Sequence, residues 1–265
     1  MKAPRLEELR IVFSLKPHVV AKQTLGDRTF DVLAGKGLDA LAAFDTINHI
    51  LGELRIPAEF RTYDGTLVPK TKVEERLSKK GKGIPYLNVG GLALRSGNIT
   101  AMEQSFIIVE EKSEGAASSW DRWVTPFLGW PSFVQAWVTD VEYDHWQNAQ
   151  DPIEYKTVGR SMVGLRMKSN GLPPPLEQQI VDTSENAGRW EFRPGYVEAI
   201  GSIMWFSENF WHLIGSDRKS ALAKLNWLHL TEPQKGILRA SSDIYFDDET
   251  TASEQDALRK AVYGS

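Results

Sequence analysis

Side chains able to do chemistry are scattered thinly along this 265-residue chain. It has no cysteine, which removes thiolate zinc sites, iron–sulfur clusters and cysteine nucleophiles from consideration. The histidines are His18, His49, His145, His212 and His229, and none forms a close ligand pair. His145 stands in DVEYDHW beside Asp144 and near Glu142. Carboxylates orient and polarise imidazole, so a metal or a general base would sit there if anywhere among the five. His212 beside Trp211, and His229 between two leucines, read as packing residues.

The chain contains no GxxxxGK[ST] phosphate loop, GxSxG nucleophile elbow, HExxH pair or calcium-binding loop. The glycines of GKGIP and NVGGLALRSG do not match GxGxxG and read as turns. No catalytic residue, metal or cofactor is therefore assigned. The clearest acidic cluster is Asp243, Asp247, Asp248 and Glu249. Three uses are open to it: a divalent-metal site of the kind nucleases use, acids favoured in a turn and a helix's first turn, or a protein-binding surface. No persuasive Glu-x-Lys element accompanies this cluster, as a restriction-type nuclease would want.

Charge is uneven although the net is only −4. Residues 61–85 hold seven basic against three acidic side chains, a net of +4; residues 241–265 hold two against six, a net of −4. Opposed patches solubilise a surface or steer a partner. The basic stretch has only Tyr63 and Tyr86 as aromatic neighbours, fewer than stacking on nucleic acid wants, so no direct nucleic-acid binding is expected. Five of nine tryptophans fall between Trp120 and Trp146. Tryptophan anchors interfaces, which makes Trp130 and Trp137 candidate partner contacts, with most of the nine expected inside.

The elements that must position these groups read as an α+β fold, a central and mostly antiparallel sheet flanked by helices. LRIVFSL is a strand bounded by Pro17, and Arg28 to Leu33 is β-like. Leu38, Leu41, Ala42, Phe44, Ile47, Ile50, Leu51 and Leu54 make a wide helical stripe, with Gly37 marking its start and Pro57 lying beyond its end. Thr71 and Glu74 suggest a capping box for a short basic helix. Tyr86–Leu94 and Gln104–Glu110 read as strands, with a turn at Ser96-Gly97-Asn98. After Pro131, Phe133 to Val141 is read as a helix, with a strand over Phe133–Val138 as the alternative. Thr157–Met167 and Ile200–Phe206 read as strands, RKSALAKLNWL as a helix, and Gly236–Phe246 as an interrupted strand. Thr251 and Glu254 suggest a second capping box, opening a terminal helix with Ala257, Leu258, Ala261 and Val262 buried and Gly264 as its stop. One domain over 1–265 is expected. The polar run EKSEGAASS, residues 111–119, offers the best internal boundary and a mobile tip. The first 22 residues lack a signal-peptide apolar core and no run of 18 apolar residues exists, so a cytoplasmic address without a membrane partner is expected.

AIGSIMWFSENFW, followed by SSDIYFDDETTASEQDALRKAVYG, resembles the immunity protein 52 family. The matching residues are Gly201 to Phe206, Ile244 to Asp248, and Glu254 to Val262; PSFVQAWVTDVEYDHW is similar to that family's Ala-Trp helix and following turn. The resemblance covers about a third of the chain. It implies a non-enzymatic antidote of a bacterial polymorphic toxin system, associated with type VI secretion. Its partner would be a cognate toxin, commonly a restriction-endonuclease-type DNase. The readings that compete with it are a structural or adaptor protein of a phage or secretion apparatus and a divergent metal-dependent nuclease. On the toxin reading, reversing the charges of Asp247, Asp248 and Glu249 together weakens toxin binding; affinity unchanged at both low and high salt would sink that expectation.

Overall fold

A computed structural model describes residues 5–79, 83–215, 218–247 and 250–264. The strands are β1 (Glu7–Ser14), β2 (Lys16–Leu25), β3 (Arg28–Lys36), β4 (Phe60–Arg61), β5 (Leu67–Val68), β6 (Leu87–Val89), β7 (Leu92–Ile99), β8 (Gln104–Glu111), β9 (Phe133–Asp140), β10 (Met167–Ser169), β11 (Gln179–Val181), β12 (Glu191–Arg193), β13 (Tyr196–Glu198), β14 (Ile203–Ser207), β15 (Leu228–Gln234) and β16 (Ile237–Ser242). The helices are α1 (Ala40–Glu53), α2 (Lys70–Leu77), α3 (Trp120–Leu128), α4 (Val141–Asn148), α5 (Pro152–Thr157), α6 (Glu208–Ile214), α7 (Arg218–Leu222) and α8 (Ala252–Tyr263). One ten-stranded sheet runs in the order β15-β16-β14-β9-β1-β8-β7-β6-β4-β5, and the pairings along it are antiparallel. The fold is thus the α+β class with a large, mostly antiparallel sheet flanked by helices.

Alternation along the strands assigns each residue a face. Leu9, Ile11 and Phe13 of β1 share one face with Val109 and Ile107 of β8 and with Val138, Ala136 and Phe133 of β9. The buried sides of α1, α2 and α3 cover that face. Glu8, Arg10 and Val12 point the other way. Beyond them on that second face, Trp137, Met204, Phe206 and Ala240 pack under α4, α6, α7 and α8. The helical cover therefore changes sides across the middle of the sheet, and strands β1 and β9 are buried from both.

This double burial explains the main departure from expectation. Phe133 to Asp140 is strand β9, not a helix, and Phe133 through Thr139 are all buried. A strand covered on both faces reads as a continuous apolar run rather than an alternating one. Several smaller corrections have local causes. Tyr86–Leu94 is a hairpin, not one strand, because Gly90 (φ 54°) and Gly91 (φ 82°) turn the chain between β6 and β7. Ser96-Gly97-Asn98 lies within β7, paired to β8. Thr157–Met167 is mostly loop, turned at Gly159 and Gly164 in the left-handed region. The helix expected over RKSALAKLNWL stops at Leu222, and Leu228 already pairs with Ser242.

Neither capping box forms. Pro69 occupies the cap of α2, and Glu74 pairs with Lys70 at 3.4 Å. At α8, the Thr251 hydroxyl accepts from the Asp247 N–H at 2.9 Å, while Glu254 accepts from Ser253. Helix α1 is capped by Asp39, whose carboxylate accepts from the N–H groups of Leu41 and Ala42 at 3.1 and 3.0 Å. Segment 111–119 joins β8 to α3, and β8 and β9 both pair with β1. Its two ends are held by Glu111, which accepts from Ala117 N and Glu7 N at 3.0 and 3.2 Å. The terminal helix is anchored by Arg259, whose side chain is only 2% exposed. Its guanidinium donates to the carbonyl of Arg189 at 2.7 Å and lies 3.4 Å from the Glu198 carboxylate. Arg259→Leu strips the Arg189 carbonyl of its donor and leaves the Glu198 carboxylate with Arg193 alone at 2.7 Å, so it is expected to destabilise the fold by roughly 1–3 kcal/mol, read from equilibrium denaturant unfolding.

Candidate functional site

Two features stand out from the scaffold: a charged cleft on the sheet and a ribbon that projects from it. The cleft lies on the second face, where helical cover is absent from β8 and β7. Register brings Glu8 and Arg10 of β1, Glu110 of β8 and Arg95 of β7 side by side. Asp144, His145 and Asn148 of α4, with Glu154 of α5 and Trp190, form the opposite wall. The space between is about 360 Å³.

Arg10 holds the two walls together. Its guanidinium bonds Glu8 within β1, reaches Asp144 at 3.2 Å, and lies 4.3 Å over the ring of Trp190. Burial disfavours its charge, yet Glu8 and Asp144 outweigh that and hold its pKa above the ordinary arginine value. Arg95 approaches Glu8 at 3.8 Å, Lys112 bonds Glu110, and His145 Nε2 lies 3.1 Å from Glu154. Burial pushes the Asp144 carboxyl up to about 6; Arg10 opposes the shift, while Glu8 and Asp140 add to it. The cleft can therefore hold a proton on Asp144 in mildly acidic conditions, and its cations are already engaged by its own acids. Among the described residues no group of three or more His, Asp or Glu side chains is placed to hold a metal ion.

The ribbon is the β2–β3 hairpin, turned at Gly26-Asp27 and exposed over most of its length. At roughly 3.3 Å per residue its ten-residue strand spans about 33 Å. A bulge at Val20 resets the pattern. Beyond it Ala21, Val32, Phe30 and Leu25 share one face, whereas Lys22 pairs with Asp31 and Thr24 with Thr29 on the other. Leu25 is 74% exposed, Phe30 51% and Val32 37%. Gln23 and Arg28 lie on that same face, so the alternation is partial; Ala21, Leu25, Phe30 and Val32 belong to no buried cluster among the described residues. At the root, Leu15 is buried, and a Cβ on Gly35 would meet its Cδ2 at 2.1 Å.

The residues marked out by the sequence fare differently. Asp243 is exposed, 3.3 Å from His229. Asp247 is occupied in the turn before α8, accepting from Thr250 N–H and hydroxyl. Asp248 and Glu249 lie outside the described residues. A triple charge reversal there would disturb that turn as well as the local charge, so Asp243 is the cleaner electrostatic probe. Trp137 is 2% exposed and packs the core, which corrects its reading as a partner contact; Trp130 is half-buried against Phe13 and Phe127. Six tryptophans are buried, Trp120, Trp123, Trp137, Trp146, Trp205 and Trp211, so their abundance serves packing. Ala136-Trp137, read by resemblance as helical, is strand, while the following VEYDHW is helix. Gly201, which opens the resembling strand motif, sits where a Cβ would strike the Val138 carbonyl oxygen at 2.3 Å. No helix among the described residues is long and apolar enough to cross a membrane. No protein-family model, curated protein or solved structure matches the chain.

The raised carboxyl has a signed consequence. Between pH about 4 and 6 the folded chain binds a proton at Asp144 that the unfolded chain has released, so this group's contribution to stability declines as pH rises through that window. Asp144→Asn removes the effect: the stability of the wild type relative to the variant is expected to fall from pH 4 to pH 7, as read from urea midpoints along the series.

Proposed function

We propose that this chain is a non-catalytic, protein-binding inhibitor that neutralises a cognate bacterial toxin in the cytoplasm of the toxin-producing cell. The observation that carries the reading is the β2–β3 ribbon. A free two-stranded hairpin is marginal in water at best, and this one leaves Leu25, Phe30 and Val32 exposed, outside every buried cluster among the described residues. Such a ribbon suits a partner that completes its missing layer. The toxin as partner, with a restriction-type DNase as its class, comes from the likeness of Gly201–Phe206, Ile244–Asp248 and Glu254–Val262 to the immunity protein 52 family.

The charged cleft favours a second, enzymatic reading less strongly. A carboxyl raised to about 6 is suited to proton transfer near neutral pH. Yet Arg10 is spent on Glu8 and Asp144, which makes the cluster a clamp between β1 and α4.

The deciding experiment is co-expression with the product of the adjacent effector gene. Restored growth together with co-purification of the two proteins is the expected result. Toxicity without rescue would overturn the inhibitor reading, and magnesium- or manganese-dependent DNA cleavage by the purified chain alone would replace it with the enzymatic one.

A further inference from the structure

From the charge and shape of the ribbon, and resting on the toxin-binding reading above, we infer that the ribbon docks on an acidic, apolar-centred protein surface of the toxin, away from any basic DNA-binding cleft. The geometry has two parts. The distal part is the stripe of Ala21, Leu25, Phe30 and Val32, interspersed with Gln23 and Arg28 on the same face and backed by the Lys22–Asp31 and Thr24–Thr29 pairs. The proximal part is a groove of about 510 Å³ where the ribbon meets α1, the end of α2 and β7; His18, Lys36, Asp39 and Lys79 are its ionisable lining. Leu38 and Leu77 add apolar surface there.

The charge of both parts has one sign. Residues 16–36 carry four basic side chains against two acidic, a net of +2. Lys36 and Lys79 outnumber Asp39 in the groove, and Lys79 belongs to the basic stretch 61–85, with its net of +4. The ribbon and the end of α2 that carries Lys79, separate in sequence, thus meet in one groove, where Lys79 also lies 3.7 Å from Glu75. Opposite potentials on a partner speed encounter, and like charges brought face to face cost several kcal/mol. A nuclease cleft shaped for phosphates is itself basic, so this surface is the wrong sign to plug it. The toxin is held elsewhere, with its cleft open or distorted from a distance.

The stripe decides between the other occupants of a basic surface. Phosphate backbones would satisfy Lys22, Arg28 and Lys36, but they would leave Leu25 and Phe30 in water, where the chain already has them. A protein surface with an apolar centre removes that area from water, and an acidic rim meets the lysines. The acidic end of this chain itself, residues 241–265, carries −4, so a second copy is a competing occupant that the test must separate.

The test uses the full chain and the purified product of the adjacent effector gene, inactivated in its nuclease site. Leu25→Asp with Phe30→Asp alters only exposed side chains, and an unchanged melting temperature checks that the fold is retained. Affinity is expected to fall at least 100-fold. Lys36→Glu with Lys79→Glu should weaken binding about 10-fold at low salt and less at high salt, and the wild-type complex should still bind a short DNA duplex through the toxin. Wild-type binding with both arm variants unaffected overturns this inference and leaves the inhibitor reading standing. Absence of any wild-type binding or rescue overturns both. Loss of duplex binding in the complex would place the contact in the cleft and overturn the inference. A dimer abolished by Leu25→Asp/Phe30→Asp, or a direct affinity of the isolated chain for the duplex, would replace the occupant with a second copy or with nucleic acid.

Discussion

Everything in this fold depends on burying both faces of a wide antiparallel sheet with helices too few and short to cover either face completely. Helices α1, α2 and α3 lie on one side over the β1–β6 half. Helices α4, α6, α7 and α8 lie on the other side over β9, β14 and β16. The two covers overlap at β1, β9 and β14, which explains why Phe133 through Thr139 are buried without alternation. It also explains why Glu8 and Arg10 are polar. They sit where the second cover gives out, and they finish the face with charge instead of hydrocarbon. The clamp of Arg10 on Asp144 then fixes α4 at the boundary of its cover.

Where cover is withheld, surface is left for other uses, and the molecule has two such places. The cleft over β1, β8 and β7 is internally compensated: Arg10 and Arg95 answer Glu8, Lys112 answers Glu110, and His145 faces Glu154. The ribbon is not compensated in the same way. Its apolar stripe has no counterpart among the described residues, and Gly35 lets its root press against Leu15 without a side chain between them. The first place is closed by the chain's own charges, whereas the second leaves its apolar members exposed. This contrast, more than any catalytic constellation, directs the functional reading toward binding.

Local periodicity made some of this legible in advance. α1 and α8 follow from apolar spacing because each buries one face against a single layer, and β1, covered on both faces, follows from its short apolar run ending before Pro17. β9 was misread because burial on both sides erases the two-residue period that distinguishes strand from helix. β3 was visible as a weak β segment, but β2 was not: Pro17 opens it, and the bulge at Val20 breaks its alternation. In the cleft, Asp144 and His145 were noticed together because they are neighbours in sequence. Glu8, Arg10, Arg95 and Glu110 were not, since only strand register places residues that distant beside one another. Trp137 was taken for an anchor because composition signals a large aromatic without saying which face of a central strand it occupies.

The ends of the large sheet show what its backbone has left to offer. Pro233 lies near the end of the outer strand β15 at one edge, and β5 at the other is only two residues long, so both edges of the sheet are blunted. Among the described residues the ribbon has two long edges with no strand alongside them. Main-chain hydrogen-bonding capacity is therefore concentrated on the same element that carries the apolar stripe. Bonds of that kind are offered by any extended segment whatever its side chains. On the proposed docking, a contact made partly through them would tolerate drift in a partner's sequence, leaving the stripe and the lysines to set specificity.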